Sequence, residues 1–538
     1  MPWHKSLQVQ SAQTSWEDRL AATEGSRKRR SISTWLMALA ALAVVGTLAL
    51  WWLGSLPDHA HPEVGRTIFG NIPGPLVALF YVTVAVFLGL TLYLFALRAA
   101  NWERGAGEDR SKLLKRRIHR LRQGLSMKTL LQDPAAGVPH AALYYGFLVL
   151  FLGTVTLEID HLLPNNLKFL EGGFYKGYSL VLDLFAVIYL VGLIWLGVRR
   201  YGMRPWRLRS KTKPEDGWIL FTLGAIGITG LAVEAARITE MGRPAFEQWS
   251  FIGYPLSYLV PESAAAGTHQ ILWVLHVASF LGFLVVLPTT KLRHMVTSPA
   301  NMYLSPRQRP VGAMREMPNL MEVDDIETVG ASVIAEFTWK QLLDTDACTV
   351  CGRCTSVCPA STTGKPLDPR EIVLKLGEVA AATAPFPQSA TVSLDETIEI
   401  TSDSIFERVT PEELWACTSC RACDDVCPVN IEILDKILDM RRYLSLMESE
   451  CPSELGKAYI SMENSSNVYG MDQNTRGDWA KQVDFPVKQL GEPGVEAEYL
   501  YWVGCAGSFD DRNRKVTLSI ARLLHEAEVD FAILGPQE

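Results

Sequence analysis

Two short cysteine runs constrain this chain more than any other feature. Cys348, Cys351, Cys354 and Cys358 are followed by Pro359; Cys417, Cys420, Cys423 and Cys427 are followed by Pro428. Each run reads C-x2-C-x2-C-x3-C-P, the spacing with which thiolates hold 4Fe–4S cubanes. Three thiolates on one tight turn reach three corners of a cubane. The fourth cysteine starts a helix that points away, so it ligates the other cluster. One cluster is therefore expected on Cys348, Cys351, Cys354 and Cys427, and the second on Cys417, Cys420, Cys423 and Cys358. Pro359 and Pro428 lack an N–H and turn the chain away. Zinc would use single C-x2-C pairs and disulfides an oxidising compartment; two complete crossed runs favour neither.

The 538 residues leave room for several domains, and 48% of them are hydrophobic against 20% charged. The apolar excess lies in the first 300 residues, and the net charge of −7 suggests no nucleic-acid partner. Apolar runs of spanning length lie at about Trp35–Leu53, Leu76–Leu97, Ala141–Ile159, Leu180–Val198, Trp218–Ala236 and Ile271–Leu287. Arg27, Lys28, Arg29 and Arg30 precede the first, with Trp51 and Trp52 at its far end and no small-residue cleavage pattern after it. It reads as a retained anchor. Arg98, Arg110, Lys112, Lys115, Arg116, Arg117, Arg120 and Arg122 fall between the second and third runs. Arg199, Arg200, Arg204, Arg207, Arg209, Lys211 and Lys213 fall between the fourth and fifth. The remaining loops are nearly free of such charge. Read as topology signals rather than as lipid- or partner-docking sites, the basic residues place both termini and the cysteine runs of a multi-pass protein on the cytoplasmic side.

Ionisable residues inside spans default to function. His140 opens the third run and His294 closes the sixth, at matching depth, so the pair suits axial ligation of one haem iron. His276 lies 18 residues before His294, about 27 Å along one helix, and suits a second haem near the outer face. His161 and His269 are the outer candidates for its partner, each also readable as an interface residue. Glu158 is either a proton relay for a quinone or a headgroup-level residue. The arrangement resembles the cytochrome b family typified by the membrane subunit of respiratory nitrate reductase, with five helices, bis-histidine haem and a quinol site. The His276/His294 spacing fits that family. Its second histidine ten residues after His140 is absent, because position 150 is Leu150. The haem count stays at one or two.

From about Val296 to Gly330 the chain turns polar and carries Pro299, Pro306, Pro310 and Pro318, a linker pattern. Phe337–Asp346 reads as a short helix entering the first run. About 58 residues separate the runs, including an acidic loop near Pro385–Asp403. Thr410, Pro411 and Glu413 spell a capped helix start delivering Cys417, and a helix over Ile431–Glu448 follows Pro428. The long insertion resembles the helical ferredoxins of succinate dehydrogenase iron–sulfur subunits and heterodisulfide reductases. Tyr499–Gly504 reads as a buried strand, Cys505–Gly507 as a turn, Asn513–Ala527 as an amphipathic helix and Val529–Gly535 as a second strand: a β-α-β start. Cys505 at the carboxyl end of the first strand is the candidate catalytic residue there. The segment resembles the CCG-type domain of heterodisulfide reductases, which does disulfide chemistry or binds a non-cubane cluster. Further cysteines would be needed beyond Glu538, so a fragment is expected. Cys451 reads as structural.

The whole order resembles the family of membrane-bound electron-transfer-flavoprotein:menaquinone oxidoreductases, related to the fused heterodisulfide reductases. Phe337–Lys340, the run Cys348–Cys358 with Thr363–Leu367, and Tyr501–Gly507 with Asp510, Asp511 and Arg512 carry the resemblance. The resemblance covers roughly residues 75–538, the first span being an addition, and together with the apolar runs it gives a multidomain chain. A tail spans 1–32, a six-span α-helical membrane bundle 33–295, a linker 296–330 and a helical ferredoxin-like domain 331–450. A connector covers 451–495, and the start of an α/β cysteine-rich domain 496–538. It implies electron transfer from reduced electron-transfer flavoprotein to menaquinone through two 4Fe–4S clusters and haem b, with the lipid bilayer as the medium. The other readings are a heterodisulfide-reductase-like or sulfite-reduction-type complex, a non-catalytic electron-relay anchor, and a zinc-binding membrane sensor. No trusted nucleotide-binding glycine motif occurs, so no flavin or NAD is expected in this chain.

Overall fold

The computed structural model describes residues 31–55, 63–108, 110, 113–306, 328–386, 388–390 and 399–538. Arg27–Arg30, Lys112, most of the proline-rich linker and part of the acidic loop lie outside the described residues. Among the described residues six helices are long and apolar enough to cross a membrane: Ile32–Gly54, Gly74–Trp102, Pro134–Leu162, Gly172–Gly197, Pro214–Glu240 and Ala265–Thr289. All six expected runs are there, each extended by several residues, because the polar and glycine-rich flanks also take helical conformation. Proline sits in the first turn of the second, third and fifth spans, where its missing N–H costs nothing.

The spans pack as neighbours in sequence: first on second, third on fourth, fifth on sixth, with the sixth also against the second. Small residues set the close approach of the third and fourth. A Cβ at Gly146 would come within 2.7 Å of Tyr189, and one at Gly192 within 2.8 Å of the Pro139 carbonyl. Tyr189, Leu193, Leu223, Phe283, Leu284 and Leu292 form the buried apolar centre. Leu150 and Phe147 pack against it.

The sixth span departs from expectation at its end. It stops at Thr289; Thr290 is extended, and a single tight turn, Lys291–Arg293, leads into a separate helix, His294–Leu304. The Thr290 hydroxyl accepts the Leu292 N–H at 3.2 Å and fixes the break. His294 therefore begins a new helix and does not share one with His276. The polar stretch after Val296 likewise begins as helix, not linker.

The cysteine-bearing segment is a stack of short helices: Trp339–Ala347, Arg353–Val357, Pro359–Thr362, Pro369–Ala382, Pro411–Trp415, Ala422–Asp425 and Ile433–Leu446. Reciprocal caps start two of them, Thr338 with Gln341 and Thr410 with Glu413. The expected helices at Phe337–Asp346 and Ile431–Glu448 appear slightly shifted, as Trp339–Ala347 and Ile433–Leu446. At the core of the stack, fully buried Asp344 takes Lys340 at 2.6 Å and Lys436 at 2.5 Å.

The chain divides into two compact units, Met1–Tyr443 and Leu444–Glu538. The second unit has a helix, Ser453–Ser465, and three parallel strands in the order β1 (Lys488–Gln489), β3 (Phe531–Ile533), β2 (Tyr499–Leu500). The helix Asp511–Glu526 joins β2 to β3, which gives the expected β-α-β unit. Trp479, Ala521, Phe531 and Ile533 form its core. Two details correct the sequence reading. Tyr499 and Leu500 are exposed, at 56% and 46%, because β2 is an edge strand and β3 holds the centre. Cys505 lies in a short helix, Gly504–Phe509, not in a turn.

Candidate redox centres

The two cysteine runs share one backbone design. Val350 and Gly352 in the first, and Ser419 and Arg421 in the second, occupy equivalent positions with φ of +56°, +71°, +57° and +65°. A left-handed β-branched residue such as Val350 is strained, and such strain persists where the surroundings over-determine it. Here it curls the loop so that three thiols face one space. The same curl turns amides onto sulfur: Ser419 N–H donates to Cys417 Sγ at 3.4 Å, and Ile431 N–H to Cys427 Sγ at 3.4 Å. Amide donors of this kind tune cluster potential.

The crossing of the runs is visible in three dimensions. A cavity is lined by Cys348, Cys351, Cys354 and Cys427, with Val350, Val373 and Ile433 on its apolar wall. Cys354 and Cys427 each feel the charge of Cys348 and Cys351. Cys417 and Cys423 each feel Cys358 instead. The thiols fit a cationic partner: burial pushes Cys348 and Cys427 up to about 12 and raises Cys354 and Cys423 as well. Iron would supply the positive charge that keeps such buried sulfurs as thiolates. Among the described residues no three His, Cys, Asp or Glu side chains converge on a single ion; the irons of a cubane occupy separate corners, so its thiolates stand further apart. The second set is the more open one, with Cys420 exposed.

His140 and His294 come together although 154 residues separate them. Their ring centres are 6.3 Å apart and their planes tilted by 52°. Two metal–imidazole bonds of about 2 Å each span most of that gap, and the half-widths of the rings account for the rest. His294 Nδ1 donates to the Lys291 carbonyl at 2.7 Å, which leaves Nε2 free for iron. Burial lowers the pKa of His294, favouring the neutral ligand form. His140 Nδ1 is buried without a hydrogen-bond partner. The pair therefore fits a bis-histidine haem.

His276 stands elsewhere. Its Nδ1 is 3.0 Å from Thr229 Oγ1, and it faces Gly230 of the fifth span. His161 packs edge-on against Phe69 with ring centres 5.3 Å apart, and His269 lies 3.4 Å from Asn71 Nδ2. Glu158 accepts the Tyr81 hydroxyl at 2.8 Å. In the second unit, Cys505 Sγ is 3.4 Å from Arg476, which pairs with Glu538 at 3.1 Å.

Sequence reasoning missed the residues that join the two kinds of centre. The helix opened by His294 reaches both cysteine segments. Thr297 and Ser298 donate to the carbonyls of Asp346 and Ala347 at 2.9 and 3.1 Å, just before Cys348. Asn301 donates to the carbonyl of Val429 at 2.9 Å, just after Cys427. Buried Asp346 also takes Arg98 at 3.1 Å, Arg293 at 2.8 Å and Trp102 at 2.8 Å. Arg98 was readable only as a topology charge, and Asp346 only as a helix end. Arg110 pairs with Glu432 at 2.7 Å and tightens the same joint.

Two family descriptions match parts of the chain. Residues 347–432 match a 4Fe-4S dicluster domain and residues 137–313 the nitrate reductase gamma subunit. The chain is 34% identical over 505 residues to the EtfAB:quinone oxidoreductase of Syntrophomonas wolfei, covering 88% of this chain and 69% of that protein. It is 34% identical over 498 residues to the probable iron-sulfur-binding oxidoreductase FadF of Bacillus subtilis, covering 86% and 69%. One component of the dihydromethanophenazine:CoB--CoM heterodisulfide reductase of Methanosarcina barkeri matches at 26% over 37% of this chain and 46% of that component. No solved structure matches. With a 4Fe–4S dicluster domain joined to a nitrate-reductase-gamma-like bundle, and more than two thirds of such a relative covered, this multi-pass membrane chain belongs to the EtfAB:quinone oxidoreductase family of oxidoreductases.

Proposed function

We propose that this protein takes electrons from reduced electron-transfer flavoprotein and delivers them to menaquinone in the membrane. The observation that carries the reading is the joint around Cys348 and Cys427. One helix begins at a candidate haem ligand, His294, and is hydrogen-bonded to the segments on either side of the first thiol set. When bound, the 4Fe–4S clusters and haem b supply one-electron carriers between a flavin and a quinone.

The residues of the chain do the rest. Cys348, Cys351, Cys354 and Cys427 hold the cluster nearest the membrane bundle; Cys417, Cys420, Cys423 and Cys358 hold the more exposed one. His140 and His294 hold the haem iron. His276 is assigned to a second haem, with Thr229 orienting its ring. Thr297, Ser298 and Asn301 fix the separation of the haem and cluster sites, on which the rate depends. The basic loops support a cytoplasmic side for the cluster segment, the side on which a soluble donor would meet it. Similarity to part of a heterodisulfide reductase and the contact of Arg476 with Cys505 favour a second reading, disulfide chemistry at Cys505.

The test is anaerobic turnover of the full-length protein in detergent, with enzymatically reduced flavoprotein as donor and a menaquinone analogue as acceptor, for wild type and Cys505→Ser. Quinone-dependent flavoprotein oxidation in wild type supports the assignment. Absence of turnover, with thiol–disulfide reduction that needs Cys505, transfers support to the second reading.

A further inference from the structure

One element takes no part in holding a redox site and still has a strong chemical character. The helix Leu114–Leu125 lies between the second and third spans. It contains five Lys or Arg side chains and no acidic one. At 3.6 residues per turn, Leu114, Ile118, Leu121 and Leu125 share one narrow arc. Three of these are exposed: Leu114 at 56%, Ile118 at 53% and Leu125 at 41%. A second strip, beside that arc, packs on the helix His294–Leu304: the Arg117 guanidinium lies over Tyr303 at 4.8 Å, and Gly124 presses against Met302. Lys115 and Arg122 flank the apolar arc on its other side. Arg116, His119 and Arg120 point away from it.

Its position is fixed independently. The Tyr145 hydroxyl donates to the Leu125 carbonyl at 3.2 Å. Gly137 sits so close to the Leu130 carbonyl that a Cβ would lie 2.7 Å from it. The helix is thus moored beside the opening turns of the third span, where a spanning helix emerges from hydrocarbon. An amphipathic helix with exposed leucines, flanking cations and no acids, held at that level, has the composition of a helix suited to the bilayer interface.

We propose that this helix is a binding site for anionic phospholipid. Its apolar arc sits among acyl chains, and Lys115 and Arg122 take headgroup phosphates. Charge complementarity, the exposed apolar arc and the place of the helix beside the opening turns of the third span together select a lipid over an acidic soluble protein. Because the helix leans on the one that His294 opens, bound lipid braces the joint between the haem and cluster sites.

The test is titration of the detergent-solubilised full chain with short-chain phosphatidylglycerol and with short-chain phosphatidylcholine, iron–sulfur absorbance reporting that each variant is folded. Wild type should prefer phosphatidylglycerol. The pair Lys115→Gln and Arg122→Gln should weaken phosphatidylglycerol binding about thirtyfold, or about fivefold per cation, and leave phosphatidylcholine unchanged. Ile118→Ser should weaken both lipids. Arg116→Gln with Arg120→Gln, on the far face, should have much the smaller effect. The proposal is overturned by equal affinity of wild type for the two lipids, by equal loss from the two charge pairs, or by effective competition from inorganic phosphate. It is overturned too if Lys115→Gln with Arg122→Gln weakens only the binding of an acidic soluble protein.

Discussion

Asp346→Asn tests the joint between the membrane bundle and the cluster segment. Asp346 is buried and holds two guanidinium groups, Arg98 and Arg293, besides the indole of Trp102. The amide keeps the shape and the tryptophan bond but removes the charge. Two buried cations are then uncompensated, and breaking a buried pair costs roughly 3–5 kcal/mol. The surviving hydrogen bonds put the expected loss at the low end, about 3 kcal/mol. With a urea slope of about 2 kcal/mol/M, the midpoint for loss of cluster absorbance should fall by about 1.5 M. The pH dependence has a definite sign. Arg98 and Arg293 hold the Asp346 carboxyl below its ordinary value, outweighing its burial. Its contribution is therefore complete above about pH 4, the unfolded value, and is lost as pH falls through the lower folded value. The difference between wild type and Asp346→Asn should be constant from neutrality down to about pH 5 and narrow below about pH 4. Adding Arg98→Leu to Asp346→Asn should recover part of the loss, because it removes one orphaned charge. Coincident urea midpoints, or a difference that does not narrow in acid, would refute the reasoning.

Other outcomes follow from the same geometry. Cys427→Ser and Cys358→Ser should each perturb the cluster of the other run, so electron paramagnetic resonance should show Cys427→Ser altering the same signal as Cys348→Ser, and Cys358→Ser the same as Cys417→Ser. A shared signal for Cys358→Ser and Cys348→Ser would remove the crossing. His140→Ala and His294→Ala should each lose the haem of that face in the pyridine haemochrome assay, whereas His276→Ala should retain it. Thr297→Val combined with Asn301→Leu should leave haem and iron content intact and slow haem reduction by reduced flavoprotein about tenfold or more, since two of the bonds that fix the separation are gone; unchanged rates would show that the joint is held elsewhere.

The sequence spoke most clearly where covalent spacing decides the outcome. The thiol sets needed only the count between cysteines, and the crossing appears in the surroundings of Cys358 and Cys427. The six spans were equally legible, because about twenty apolar residues in a row have few soluble alternatives. Depth reasoning also paired His140 with His294, since both lie where basic residues mark one membrane face. It misjudged the helix beneath His294. Pro288 and Thr290 follow directly on the apolar run Ile271–Leu287, and the break comes from the Thr290 hydroxyl capping the next turn. The joint was invisible for a related reason: Thr297, Ser298 and Asn301 use hydrogen bonds to backbone carbonyls far along the chain, and no local pattern announces such a partner. Cys505 was read as a turn at the carboxyl end of a buried strand, but β2 is an exposed edge that stops at Leu500, and Cys505 lies in the helix that starts at Gly504. Edge and centre strands differ by their neighbours, which a short alternation of residues does not encode.

The central claim is that electrons from the soluble flavoprotein reach the haem through the cluster segment. It is tested most directly by stopped-flow mixing of anaerobic full-length protein with enzymatically reduced electron-transfer flavoprotein, following haem b absorbance in wild type and Cys427→Ser. The account predicts rapid haem reduction in wild type, reversal by a menaquinone analogue, and reduction at least a hundredfold slower in Cys427→Ser although dithionite still reduces its haem. Haem that dithionite reduces but the flavoprotein leaves oxidised in wild type, or haem reduced equally fast in both proteins, would contradict it.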